Sequence, residues 1–362
     1  MTRGMPRSAG AATAPRPGRS CPLDYRYRPA DIAAAPVLRA GHVYVVGGLY
    51  GNVEALQAIE AMRDAEAAQG RDVHLVFNGD AHWFDAEAAD FARITDALEA
   101  HAACAGNVEA ELARGPGEAG CGCAYPEFVD DAVVIRSNRI IERLRGTAQG
   151  FAAHLDPLRR LPRMLRLRIG GLDVGVVHGD AWSLAGWNFS QEALCAARRA
   201  GWPAGPDSLR LAWLESGLRL LCSSHSCLPA AVELALDGGP RILMNNGAAG
   251  MPNFCGCPYG LITRISVCAQ VPPDSLYGTA VEGVRIDAVP VRYDHAAWCA
   301  RFLRTWPPGS DAHASYWTRI AGGPQYAVSE ALFGAFAQRA ARRLAHTMPL
   351  AGRSGIAGSS DS

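Results

Sequence analysis

From His42 onward, short apolar runs alternate with stretches whose apolar residues recur every three or four positions. That alternation marks buried strands followed by amphipathic helices. The runs 43–47 and 73–78 predict strands, followed by helices over 52–67 and 86–101. Helices are expected over 130–148, 150–160, near 190–200 and over 206–216. Strands are expected at 164–169 and 173–178, both buried, and at 219–222, 241–244, 260–267 and 284–292. The Gly/Cys/Pro-rich stretch 114–126 reads as a loop or insertion. Residues 294–345 read as largely helical, broken at Trp306-Pro307-Pro308-Gly309 and ending in a basic helix over 327–345. Strand–helix alternation first, then several strands with short turns, fits an α/β body with two packed sheets.

The two ends of the chain differ from this body. Residues 1–20, rich in Gly, Ala, Pro, Arg and Ser, and residues 350–362 are expected to be disordered. Residues 21–40 read as an irregular arm with a short helix near Asp31. The 362 residues are enough for a large core, in one large domain or two smaller ones. Hydrophobic residues make up 49% and charged residues 19%, and Lys+Arg equals Asp+Glu at 35. A balanced chain gives no bulk attraction to nucleic acid or an anionic membrane. No apolar stretch is long enough to span a bilayer, and no apolar segment follows Arg3 and Arg7 as in a secretory signal. Eleven scattered cysteines, an odd count, read as reduced thiols in a cytoplasmic protein rather than a disulfide framework.

Candidate chemistry lies where the apolar runs end. Val45-Val46-Gly47-Gly48-Leu49-Tyr50-Gly51-Asn52 precedes a helix opening Val53-Glu54-Ala55-Leu56. Then follow Asn78-Gly79-Asp80, Gly106-Asn107-Val108-Glu109, His178-Gly179-Asp180, Ser223-Ser224-His225-Ser226-Cys227-Leu228-Pro229 and Asn245-Asn246-Gly247-Ala248-Ala249-Gly250. Each dipeptide is common. Six such segments in order across residues 43–250 are far more specific.

In that order they resemble the motifs of the calcineurin-like metallophosphoesterases. The resemblance implies a four-layer α/β/β/α sandwich over residues 41–293, with residues 1–40 as an N-terminal arm and 294–349 as a C-terminal helical extension. It also implies two metal sites. Carried over residue by residue, one has lost three of its four ligands. Gly48, Tyr50 and Cys227 stand where that family has Asp, His and His, and only Asp80 remains. The other is complete: Asp80, Asn107, His178 and His225. Val108 replaces a histidine that in the family assists the leaving group or stabilises the transition state. The implied cofactor is one divalent metal per chain, Mn, Fe or Zn, which mixed N/O donors suit.

The implied function is a divergent metal-dependent phosphoesterase acting on a small phosphorylated or nucleotide-like substrate. A catalytically inactive binding protein of the same fold is the alternative from another class, and a one-metal hydrolase of a non-phosphate ester is a third. Tyr50 is a candidate donor to a phosphate oxygen or, deprotonated, a metal ligand. Cys227 is a candidate soft-metal ligand or nucleophile, with a thiol pKa lowered beside His225. For both, packing filler is an equal competitor. His82 and Asp85 follow Asp80 closely enough to line the same mouth, although His82 reads first as a surface or satisfied histidine, and Asp180 and Trp182 follow His178 in the loop at that strand's end. Cys121-Gly122-Cys123 and Cys255-Gly256-Cys257 are too tightly spaced for structural zinc and read as thiols in Gly-rich loops. Trp298, Phe302, Trp306, Tyr316 and Trp317 read as core or interface, and Arg339, Arg342 and Arg343 as a solvated helix face.

Overall fold

The computed structural model describes residues 16–201 and 208–347. The elements run α1 (Pro29–Ala34), β1 (Val37–Ala40), β2 (His42–Val46), α2 (Val53–Ala67), β3 (Val73–Asn78), α3 (Ala88–Ala100), β4 (Ala102–Cys104) and α4 (Asn107–Arg114). Next come α5 (Asp131–Gln149), α6 (Ala152–Arg160), β5 (Met164–Ile169), β6 (Leu172–Val177), α7 (Gln191–Arg199), α8 (Ser208–Ser216), β7 (Leu220–Ser223), β8 (Pro229–Leu236) and β9 (Gly239–Asn246). The chain closes with β10 (Gly260–Ser266), β11 (Tyr277–Val281), β12 (Val284–Val291), α9 (His295–Thr305), α10 (Asp311–Gly322), β13 (Leu332–Gly334) and α11 (Ala335–Thr347). Among the described residues no helix is long and apolar enough to cross a membrane.

The strands form two sheets, ordered β11-β12-β10-β2-β3-β4 and β1-β5-β6-β7-β9-β8-β13. Side-chain alternation along the strands sets the layers. Val43, Val45 and Val76 enter a core shared with Leu167, Val174, Val176, Leu220 and Met244 of the other sheet. Their neighbours Tyr44, Val46, Leu75 and Phe77 face a second core with Leu56, Ile59, Phe91 and Ile140 from the helices. On the far side Val177, Leu221 and Leu243 pack on Ile32, Leu194 and Trp213 of α1, α7 and α8. The result is helices, sheet, sheet, helices, which is the expected α/β/β/α sandwich.

The first and last described strands form the two edges of the seven-stranded sheet. Strand β1 pairs parallel with β5, and β13 pairs parallel with β8. The helix expected over 327–345 therefore begins only at Ala335, because Leu332-Phe333-Gly334 continues the sheet edge. Strand β5 is only partly buried, since Arg166 and Arg168 turn outward to Asp173. Residues 16–20, expected to be disordered, form a turn held by Arg19, which donates to the carbonyls of Pro126 and Val129 at 2.7 and 2.6 Å. Residues 1–15, 202–207 and 348–362 lie outside the described residues, and with them the expectation for the last thirteen. Arg339 is more than a solvated cation, since it pairs with Glu233 at 2.6 Å and lies over the Phe336 ring. The side chain of Arg343 is outside the described set.

One ionic cluster ties α2 to the six-stranded sheet. Glu66 accepts from Arg264 Nε at 2.7 Å and also pairs with Arg71. Burial alone raises its carboxyl, but hydrogen bonds from Arg264 and Arg71 outweigh burial and hold it at about 2, below the usual 4.5. A lowered folded-state pKa means stability that is full above the unfolded value and lost as pH falls through the folded one. Between pH 4.5 and about 2 the parent protein should therefore lose stability more steeply than Glu66→Gln. Urea melts across that window test this, and parallel curves would contradict it.

Candidate metal centre

Three loops and one helix start at one rim of the sandwich carry the surviving motif residues. The β3–α3 loop carries Asp80, the start of α4 carries Asn107, and the loops after β6 and β7 carry His178 and His225. A fourth, after β2, carries Gly48 and Tyr50. The β2 loop is locked to the last motif. Asn52 caps α2 by accepting from Ala55 N at 2.9 Å, and its amide donates to Gly250 O at 2.9 Å. Gly79, at φ +90°, allows the closest approach, because a Cβ there would lie 2.6 Å from Gly106 and from His178 Nδ1.

The ligand atoms of Asp80, His178 and His225 all lie within 4.8 Å of one another, the only such group of three among the described residues. His178 Nε2 is the hub, with Asn107 Oδ1 at 3.1 Å, His225 Nδ1 at 3.0 Å and Asp80 Oδ2 at 3.3 Å. The outer atoms are already committed. His178 Nδ1 donates to Asn78 O, His225 Nε2 to Cys123 O and Asn107 Nδ2 to Cys121 O, at 3.0, 3.0 and 2.9 Å. The four inner atoms are thus acceptors turned on one another, all on buried side chains. Such an arrangement is stable only around a positive charge.

The electrostatics agree. Burial opposes ionisation of Asp80, but His178, His225 and the Val108 N–H at 3.2 Å more than compensate and lower its pKa. Burial likewise disfavours a charged His178, yet Asp80 and then Glu109 raise it above the ordinary histidine range. His225 is driven down to about 3 by burial and by its neighbour His178, which keeps it a neutral donor set for a metal. The donor set, one carboxylate, one amide oxygen and two imidazoles, fits a divalent ion.

Glu109 holds the loop that delivers Asp80. Its Oε2 accepts from the backbone N–H of Asp80 and Gly106, each at 2.8 Å, and its Oε1 from Ala81 and His82 at 2.9 and 3.2 Å. Glu109→Ala should cost about 3 kcal/mol or more, since several buried donors lose a charged acceptor at once. Denaturant unfolding checks this, and a loss under about 1 kcal/mol would mean that water replaces the carboxylate without strain.

The other candidates separate. The Tyr50 hydroxyl lies 2.7 Å from Cys227 Sγ, and both side chains line the pocket that holds Asp80 and His225. Burial raises the Cys227 thiol, against the expected lowering, because desolvation outweighs the nearby Arg319 cation. Burial, Cys227 and Asp80 likewise push Tyr50 well above the usual phenol value. His82 and Asp85 do not line the mouth. They are buried against each other at 2.6 Å, with His82 stacked on Phe91. Asp180 is a buried bracket, taking N–H groups of Trp182, Ser183 and Asn188. Cys123 lines the pocket, whereas Cys255 is exposed, and neither Cys-Gly-Cys pair joins a metal-ligand group among the described residues.

Sequence reasoning missed the aromatic wall. Trp83, Tyr125, Trp187 and Tyr316 line the pocket, yet they come from four separate segments with no shared motif. Tyr316, expected in core or interface, reaches it from α10, whose Arg319 also donates to Cys227 O at 2.6 Å. Trp298, Phe302 and Trp306 do belong to the core, as expected. Among the described residues five non-glycine positions have φ near +50° to +60°, and three of them, Tyr50, Asp80 and Cys227, face this one pocket. Backbone in that region costs roughly 1–3 kcal/mol per residue, and such strain gathers at functional sites.

No protein-family model matches this sequence, and no curated protein does. Solved structures do match. A hypothetical protein from Pyrococcus horikoshii OT3 aligns over 80% of this chain and 100% of its own, at 14% identity and a TM-score of 0.51. A metallophosphoesterase from Sphaerobacter thermophilus aligns over 79% of this chain and 100% of its own, at 20% identity and a TM-score of 0.46. Yfce, a phosphoesterase from E. coli, aligns over 69% and 100%, at 13% identity and a TM-score of 0.30. At these identities the likeness is one of fold. With its two sheets, its flanking helices and the loops that gather Asp80, His178 and His225, the chain is similar in fold to the Pyrococcus horikoshii protein.

Proposed function

We propose that this chain is a divergent metal-dependent phosphoesterase acting on a small phosphorylated or nucleotide-like substrate, with one divalent ion held by Asp80, Asn107, His178 and His225. The observation that supports it most is the convergence of four acceptor atoms on one point while their outer atoms are hydrogen-bonded elsewhere. Held by these four residues, a divalent ion would supply Lewis-acid polarisation of a phosphoryl oxygen. The chain's own groups do the rest. Asn78 O and Cys123 O fix the tautomers of the two histidines. Tyr50, held protonated by burial, offers a hydrogen bond to a phosphoryl oxygen, and Cys227 orients that phenol as a thiol rather than attacking as a thiolate. Val108 has no proton to give, so turnover depends on leaving groups stable as anions.

On this reading residues 41–293 are the metallophosphoesterase-like domain, completed by the arm 1–40 and the extension 294–349. The eleven unpaired thiols support a reduced, cytoplasmic setting.

The test is hydrolysis of bis(p-nitrophenyl) phosphate with added Mn by the unmodified protein, Asp80→Asn and His225→Ala, purified identically. The expected result is slow turnover in the first and a loss of about a hundredfold or more in both variants. Equal rates in all three would mark a contaminant and leave the inactive binding protein as the better reading.

A further inference from the structure

Two of the four candidate ligands are held from behind by one short loop, residues 120–123. Asn107 Nδ2 donates to Cys121 O at 2.9 Å and lies 3.4 Å from Cys123 Sγ. His225 Nε2 donates to Cys123 O at 3.0 Å, and Trp187 Nε1 donates to the same carbonyl at 3.0 Å. A shift of this loop would re-aim an amide, an imidazole and an indole together. The loop has little to fix its own course. It lies between α4 and α5, outside any helix or strand, and Gly120 and Gly122 sit at φ +65° and +67°, in the region where glycine alone moves freely.

Its position is imposed by the N-terminal arm and by α5. Gly18 N donates to Ala119 O, and Tyr125 N to Gly18 O, both at 2.9 Å, so the arm brackets the loop on either side. Beneath it lies an ionic triad. Tyr25, at the end of the 3-10 turn Leu23–Tyr25, donates its hydroxyl to Glu111 Oε1 at 2.7 Å. Arg145 of α5 donates through Nη2 to Glu111 Oε2 and to Gly120 O, each at 3.1 Å. All three side chains are buried. The loop rests directly on them, since a Cβ at Gly122 would lie 2.7 Å from the Tyr25 hydroxyl oxygen and 2.8 Å from Glu111 Cγ. Glu111 stands one helical turn after Asn107 on α4, so one helix face carries both a candidate ligand and the centre of the triad.

We infer that Tyr25, Glu111 and Arg145 are positioning residues for the metal centre. Through residues 120–123 they set where Asn107 Oδ1 and His225 Nδ1 point, and the N-terminal arm is thereby a working part of the site. A buried ion pair contributes little net stability, and its use here is to fix one arrangement of the loop. This rests on the one-metal reading above and says how its ligands are held.

The experiment compares the full-length parent with Tyr25→Phe and Tyr44→Phe. Tyr44 is the matched control. Its hydroxyl also donates to a carboxylate, Glu66 Oε1 at 3.2 Å, but in the cluster that ties α2 to the six-stranded sheet. Each variant loses one phenol–carboxylate hydrogen bond and keeps its ring. Mn affinity, read by isothermal titration, should fall about threefold or more in Tyr25→Phe and stay at the parental value in Tyr44→Phe. In metal-free protein the Trp187 indole N–H, read by NMR, should shift and exchange faster with solvent in Tyr25→Phe alone. Parental Mn affinity or an unmoved indole signal in Tyr25→Phe would overturn the inference while leaving the metal site in place. Equal losses of affinity in the two variants would mean general loosening and would overturn it as well. Failure of the unmodified protein to take up Mn would overturn the one-metal reading and this inference together.

Discussion

His178→Ala should leave the protein unable to retain a divalent ion through dialysis. His178 Nε2 lies within 3.3 Å of all three other ligand atoms, so removing the imidazole opens the centre rather than trimming its edge. Loss of a mere outer partner of a ligand typically costs about 10–100-fold in metal affinity, so loss of the hub should exceed about a hundredfold. Cys227→Ser provides the contrast, because Cys227 stands outside the ligand group and should leave uptake intact. Elemental analysis after dialysis reads both. An ion retained by His178→Ala at parental affinity would place the metal elsewhere.

Gly48→Asp, which puts a carboxylate where the resembled motif carries one, should destabilise the protein by about 2–3 kcal/mol and admit no second ion. A Cβ at Gly48 would meet the Tyr50 ring, with Cε2 at 2.6 Å and both Cζ and the hydroxyl at 2.9 Å. The backbone there is also left-handed, at φ +62°. Aspartate tolerates that conformation better than most residues, so the collision with Tyr50 is the larger cost. The phenol thus fills the space next to which the first metal ligand would stand, and the two replacements depend on one another. Gly48→Asp with Tyr50→His should recover most of the lost stability, and adding Cys227→His should allow a second ion. Thermal unfolding and metal analysis on the three variants decide this. A single Gly48→Asp variant as stable as its parent would show that the ring moves aside freely.

Much of the fold was legible because its central strands are short, apolar and sharply bounded. His42–Val46 and Val73–Asn78 fall where their apolar runs lie. Strand β8 escaped notice because Ala230, Ala231, Glu233, Leu234 and Ala235 are good helix formers. Its pairing with β9, from Pro229 opposite Asn246 to Leu236 opposite Gly239, overrides that propensity. Strands β4 and β13, three residues each, are fixed by their neighbours and carry no pattern of their own. At the site, motif order pointed to Asp80, Asn107, His178 and His225. It was silent about Trp83, Tyr125, Trp187 and Tyr316, whose segments converge only in three dimensions. The Cys227 pKa also went the other way, since proximity to His225 was visible in sequence and burial was not.

The most direct measurement is anomalous scattering at the manganese edge from Mn-soaked crystals. One peak per chain is expected, between Asp80 Oδ2, Asn107 Oδ1, His178 Nε2 and His225 Nδ1. Two peaks, a peak between Tyr50 and Cys227, or no peak at saturating Mn would contradict the account.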